Sequence, residues 1–402
     1  MVIVQKINHP ERAWNVFLIF LRLGLTSFGG PVAHLGYFRN EFVVGRHWLS
    51  ERNFADLVAL SQFLPGPASS QVGMALGMVR GGFSGALAAW AGFTLPSAII
   101  LSLFGMGLAT WASDVPAGAL HGLKVVAVAV VAQAVWAMAR NLCTDAIRIG
   151  IASISACTVL VWPTALGQIL VIVFAAAAGV ALFKPTLNLN HEPLPITITH
   201  RMGVILLGLF FGLLLSLPIL LELSPNHLLA LVNSFYRAGS LVFGGGHVVL
   251  PLLQAAVVPS NWVTNETFLA GYALAQAVPG PLFAFAAFLG ATSNLQPNGW
   301  IGALICLIAI FLPSFLLIFG VLPFWERMRH SVRTQAALGG VNAAVVGLLL
   351  AALYHPVWVS AIFRPADFGL ALVALIALMF WKQAAWLVVL GCGVIGWVFG
   401  FV

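Results

Sequence analysis

The chain has 402 residues, 61% of them apolar and only 7% charged, with a formal charge of +7. Soluble domains carry about 25% charged residues, so this composition, with a mean hydropathy of +1.02, excludes a water-facing fold. The modest positive charge fits basic loops at a membrane surface, not a nucleic-acid footprint.

In chain order, Lys6 and Arg12 precede an apolar stretch, 13–28, that could pass for a signal peptide. It runs into Gly29-Gly30-Pro31 instead of a small-residue cleavage site, and the same pattern recurs mid-chain, so a first membrane helix is the reading. A shorter apolar segment follows at 31–44. Two arms of about 12 residues, 53–64 and 68–79, flank Pro65-Gly66-Pro67. At 1.5 Å per residue each reaches only about 18 Å, too short to cross a bilayer core that needs about 20 helical residues. They read as half-helices meeting inside the membrane. Longer apolar segments run 83–110, 116–140, 144–162 and 164–183. A polar linker (184–200) and one extra apolar segment (203–222) lead to a second series: 226–243, 247–258, 267–278 and 282–293 around Pro279-Gly280-Pro281, then 299–323, 331–353, 365–381 and 384–402.

The second series repeats the first. At an offset of 215, Phe20, Arg22, Gly24, Phe28, Gly29 and Gly30 meet Phe235, Arg237, Gly239, Phe243, Gly244 and Gly245. At 214, Trp48, Phe54, Gln62 and Pro65-Gly66-Pro67 meet Trp262, Phe268, Gln276 and Pro279-Gly280-Pro281; at 217, Leu95-Pro96-Ser97 meets Leu312-Pro313-Ser314. The expected organisation is a first repeat over 1–183, a linker and extra transmembrane helix over 184–222, and a second repeat over 223–402. Positive charge sets the orientation. With the N-terminus cytoplasmic and the Gly-Gly and Pro-Gly-Pro elements as re-entrant hairpins, fourteen of the eighteen Lys and Arg fall inside and only Arg364 outside. Arg22, Lys124 and Arg237 lie within apolar segments. An odd number of spans separates the repeats, so the second is inverted. The expected fold is therefore an all-α polytopic membrane protein with inverted-topology repeats, a plan that places substrate near the midplane at the repeat interface.

Several residues are candidates for that site. Helix ends at Ser27, Gly29 and Gly30, and at Gly244, Gly245 and His247, expose N–H groups that favour anions; the alternative is a tight packing turn. Arg22 and Arg237 precede these elements by seven residues. A guanidinium fork suits a tetrahedral oxyanion, although snorkelling to the interface would also place it there. Gln62, Gly66 and Ser69, with Gln276 and Gly280, could solvate a polar substrate at the breaks made by proline, or could only satisfy freed carbonyls. Lys124 is a further intramembrane cation. Asp56 is an intramembrane carboxylate suited to ion coupling, and its repeat partner is Ala270. The four cysteines (Cys143, Cys157, Cys306, Cys392) are far apart with no CxxC spacing, so no metal site or disulfide framework is expected. No HExxH or close acidic cluster supports an enzyme reading.

The order arginine, Gly-Gly, tryptophan loop, Pro-Gly-Pro, present twice over essentially the whole chain, resembles the chromate ion transporter (CHR) family in its long, two-domain form. The resemblance implies a secondary transporter of the bacterial inner membrane that exports chromate on ion gradients, without cofactor or catalysis. Sulfate has the same tetrahedral dianionic shape, and a sulfate or other oxyanion permease, or a passive anion channel, stays open as an alternative.

Overall fold

The structure is a computed structural model and describes residues 13–110, 116–184, 194, 198–243 and 248–399. Among these residues every regular element is helical. In the first half, α1 (Ala13–Thr26) ends before the glycine pair and α2 (Gly30–Phe38) leaves it, continuing as a π-helical turn over Arg39–Gly45. Next come α3 (Glu51–Phe63) and α4 (Ala68–Thr110), and α4 is not one rod. Gly81 (φ −133°) and Gly82 (φ +61°, ψ −153°) break it into a short arm and a long span, as the sequence pattern predicts. The half closes with α5 (Ala117–Leu142), α6 (Ala146–Val161) and α7 (Ala165–Leu182).

The extra helix α8 (His200–Leu223) leads to α9 (His227–Leu241), α10 (Val249–Val257) and α11 (Asn265–Ala277). A 3-10 turn, Leu282–Ala284, then runs into α12 (Phe285–Ala291), so the second arm after Pro-Gly-Pro starts less regularly than the first. After it come α13 (Gly299–Val321), α14 (Trp325–Arg329), α15 (Val332–Ala352), α16 (Pro365–Met379) and α17 (Ala385–Phe399). Among the described residues, five helical stretches are long and apolar enough to cross a bilayer: Ala68–Leu108, Ala117–Leu142, His200–Leu223, Gly299–Phe324 and Val332–Trp358. Large apolar side chains such as Phe174, Ile205, Leu215 and Phe399 point outward, which is costly in water and neutral in lipid. The protein is a polytopic helical membrane protein. Only a small part of α8 is buried, so it lies at the periphery against α9 and α13.

Local structure follows the sequence repeat closely. Ser50 and Thr264, one offset apart, each cap a helix by accepting the N–H of the residue three positions on. Such a cap contributes about 1 kcal/mol. His47 and Asn261, also one offset apart, both adopt a left-handed backbone (φ +51° and +55°). Each hands on to a buried tryptophan, Trp48 or Trp262, whose N–H returns to the Phe42 or Val257 carbonyl.

The packing, by contrast, crosses the halves. Helix α5 of the first half packs on α16 and α17 of the second, while α15, its repeat counterpart, packs on α6 and α7 of the first. The contacts are close because they pass over glycine. A Cβ on Gly122 would strike the Cys392 carbonyl, and a Cβ on Gly340 would strike that of Ala175. Each half is thus completed by helices of the other.

Candidate functional site: two glycine tips

At the first Pro-Gly-Pro, two prolines remove backbone donors and leave Gly66 at φ +120°, a conformation open only to glycine. Its N–H donates to the Val242 carbonyl, 2.7 Å away, at the end of α9. A Cβ there would lie 2.5 Å from Ser314 Oγ on α13 and 2.8 Å from Gln71 Nε2. The second tip repeats this in reverse. Gly280 (φ +108°) donates to the Ser27 carbonyl at 3.0 Å, and a Cβ there would lie 2.8 Å from Ser97 Oγ on α4. Val242 and Ser27 match under the repeat, as do Ser314 and Ser97. Each tip is therefore seated in the other half, against a matched carbonyl and a matched hydroxyl.

Around the tips lies a shell of buried polar groups. Ser27, His34, Ser69, Ser70, Gln71, Thr94, Ser97 and Ser314 are all at most 3% exposed, so their pairing is what matters energetically. His34 Nδ1 lies 3.4 Å from Ser69 Oγ, and its ring meets Phe93 edge-on at 5.2 Å. Gln71 Nε2 donates to the Pro65 carbonyl at 2.8 Å, and Ser97 Oγ to that of Thr94 at 2.9 Å. By contrast, Ser27 Oγ, His34 Nε2, Ser70 Oγ, Gln71 Oε1, Thr94 Oγ1 and Ser314 Oγ have no protein partner. Leaving a buried polar atom unpaired costs about 1–3 kcal/mol, and folded proteins pair the great majority of them. Ser314 Oγ faces the Gly66 tip, and the other unpaired atoms lie on the segments that surround the two tips. The α4 N-terminus at Ala68 adds helix-end N–H groups, which favour negative charge.

The structure places the remaining sequence candidates as follows. Gly29 (φ +100°) and Gly30 (φ +78°) form the turn into α2, one residue beyond Ser27. Gly244, Gly245 and His247 lie outside the described residues. Gln62 is exposed on α3, and Gln276 is half-buried on α11, bonded to Tyr272 one turn earlier. Arg22 is not in the shell. Its side chain is 59% exposed and its Nη2 meets Glu41 Oε2 at 2.5 Å, while Glu41 Oε1 accepts from Arg46 at 2.7 Å. Arg237 is half-buried on α9, and the repeat puts Ala256 where the first half has Glu41, so the two arginines have different surroundings. Asp56 is buried on α3. Lys124 lies apart from the tips, paired with Glu266 at 3.2 Å. Residue-type reasoning pointed to Ser70 beside Ser69 but overlooked His34, Gln71, Thr94, Ser97 and Ser314. The signal for two of them was present: Ser97 and Ser314 are repeat-matched serines, each directly after a proline inside an apolar helix.

Fold and site together define a helical integral membrane protein whose two like halves meet at a buried polar centre. The chain belongs to the chromate transporter family, whose model matches it twice, over residues 14–180 and 229–397. It is 29% identical to the chromate transport protein of Pseudomonas aeruginosa, over 98% of this chain and 94% of that one. It is 28% identical to the probable chromate transport protein of Synechococcus elongatus, over 83% and 82%. With the chromate transport protein of Cupriavidus metallidurans it shares 27% identity, over 95% and 92%. No solved structure matches it.

Proposed function

We propose that this protein is a secondary transporter that exports chromate across the bacterial inner membrane, driven by an ion gradient, with the N-terminus cytoplasmic and the second half inverted relative to the first. The observation that carries the reading is the reciprocal seating of Gly66 and Gly280 among unpaired buried hydroxyls, in a chain of a transporter family. Two tips approaching one centre from opposite halves suit alternating access. Rocking one half against the other would bare the centre to one side and then the other.

The anion would sit among Ser27, Gly29, Gly30, Ser69, Ser70, Gln71, Thr94 and Ser314, with Gly66 and Gly280, whose N–H groups are engaged by carbonyls, shaping the two tips. Neutral hydrogen-bond donors and a helix N-terminus solvate a dianion without binding it too tightly to leave. The same donors read shape and charge and not the central atom, so sulfate would compete at this centre. Arg22 and Arg46, linked through Glu41, would form a basic approach on the cytoplasmic side, with Arg237 nearer the centre. Asp56, buried in the first half and replaced by Ala270 in the second, would carry the coupling step.

The test is transport. Cells making the protein should hold less chromate and survive more of it, and everted vesicles should accumulate chromate only under an imposed gradient. Unchanged cellular chromate at verified expression would remove export. Uptake independent of any gradient would point to a passive channel.

A further inference from the structure

Away from the tips, a cavity of about 380 Å³ lies where the N-terminal ends of α5, α11 and α16 meet. Its wall carries His121 and Lys124 from the first half and Glu266, Arg364 and Asp367 from the second. Asp367 accepts three hydrogen bonds. Its Oδ1 accepts from His121 at 3.0 Å, and its Oδ2 accepts the N–H groups of Phe363 and Arg364 at 3.0 and 2.9 Å. Those three bonds hold the Asp367 carboxylate in the wall, and the Lys124 ammonium pairs with Glu266 instead. The Lys124 ammonium is 11% exposed, and its hydrogen bond to Glu266 Oε1, 3.2 Å long, uses one of its three donors. Glu266 itself is 72% exposed and sits in the first turn of α11. Among the described residues this buried cation pairs with a surface carboxylate that water solvates well without it, and exposed partners of this kind hold weakly.

The cationic set has no copy in the repeat. Where the first half has His121 and Lys124, the second has Gly339 and Asn342, and where the second has Glu266 the first has Arg52. The cavity therefore distinguishes one face of the protein from the other, unlike the tips. Its volume holds a tetrahedral oxyanion with several waters, at about 30 Å³ per water.

We propose that this cavity is a second oxyanion site, in which the Glu266 carboxylate stands in for the anion and is displaced from Lys124 when a dianion arrives. Arg364 supplies a second cation on the same wall. With Glu266 swung into solvent, Lys124 and Arg364 balance a dianion beside the His121–Asp367 pair. In the topology proposed above, on which this inference rests, the cavity opens on the outer face and receives the anion as it leaves the tips.

The test is equilibrium dialysis of chromate against the purified full-length protein, at an alkaline pH where chromate is a dianion. The wild type should bind about two ions per chain. Glu266→Gln, at an exposed position that keeps a hydrogen-bonding group, should tighten one class of site about 2- to 5-fold by removing the internal competitor. Lys124→Gln should abolish that class and leave the other. The double exchange Lys124→Glu with Glu266→Lys restores the ion pair as a clamp and should not restore binding. If both single variants titrate as the wild type does, or if the double exchange rebinds the second ion, the cavity is a structural clamp and the proposal falls while the transport reading stands. If the wild type binds no chromate, both fall.

Discussion

The Gly280 N–H donates to the Ser27 carbonyl oxygen over 3.0 Å, joining the tip of the second half to the residue that follows α1 in the first. Its counterpart, from Gly66 to Val242, runs the opposite way between matched positions. Exchanged contacts of this kind arise when two like units face each other across a two-fold axis. They tie the hydroxyl shell to both halves at once.

That arrangement makes a topological prediction. Cysteines at Ser50 and Ser260, in matched loops, should react with an impermeant reagent from opposite sides of the membrane, in a background where exposed Cys157 is replaced. Labelling of both from one side would exclude inverted halves.

Alanine at Gly66 or Gly280 should damage the protein more than alanine at an ordinary helical glycine. Each residue has a positive φ, and an added Cβ would lie 2.5 Å from Ser314 Oγ or 2.8 Å from Ser97 Oγ. Backbone strain of this kind costs about 1–3 kcal/mol. Ser314→Gly should recover part of the Gly66→Ala loss by removing the struck hydroxyl. Equal thermal midpoints for Gly66→Ala with and without Ser314→Gly would show that the contact does not govern the tip.

Loss of a shell hydroxyl should weaken chromate binding more than loss of Arg22. Ser27→Ala or Ser314→Ala removes a buried donor and should cost about 0.5–1.5 kcal/mol in affinity, roughly 2- to 10-fold. Arg22→Ala breaks a pair with Glu41 in which the arginine side chain is 59% exposed, and ion pairs open to solvent contribute about 0–1 kcal/mol to stability. Glu41→Gln should then resemble Arg22→Ala in both stability and transport. If Arg22→Ala abolishes binding while Glu41→Gln and Arg22→Lys keep it, the guanidinium charge reads the anion directly.

Asp56→Asn should keep anion binding and lose gradient-driven flux. The side chain is buried in α3, and the repeat puts Ala270 in its place. Wild-type gradient dependence in that variant, measured in proteoliposomes, would take Asp56 out of the coupling step.

The sequence is informative about this protein because lipid imposes simple rules. Apolar run length and the Gly and Pro breaks locate nearly every helix end to within a few residues, including the interruption at Gly81 and Gly82. The repeat shows which residues correspond, and His47 and Asn261, one offset apart, share a left-handed backbone. It does not show which half packs on which, because Gly122 looks equally able to meet Ala175 or Cys392. Charged residues also draw attention that geometry redistributes. Arg22 stands out in an apolar segment, yet it turns outward to Glu41. Ser97 and Ser314 look like ordinary helical serines until the tips are folded against them.

The crossing of α5 onto α17, and of α15 onto α7, bears on how such a chain could have arisen. A polypeptide carrying one copy of the unit would leave the Gly122 face of its own α5 bare, since the helix that covers that face comes from the other copy. It would need a second molecule to close its structure. Joining two copies through the extra helix α8 holds that partnership within one chain. The two copies are not interchangeable at the cavity wall, where His121 and Lys124 of the first correspond to Gly339 and Asn342 of the second.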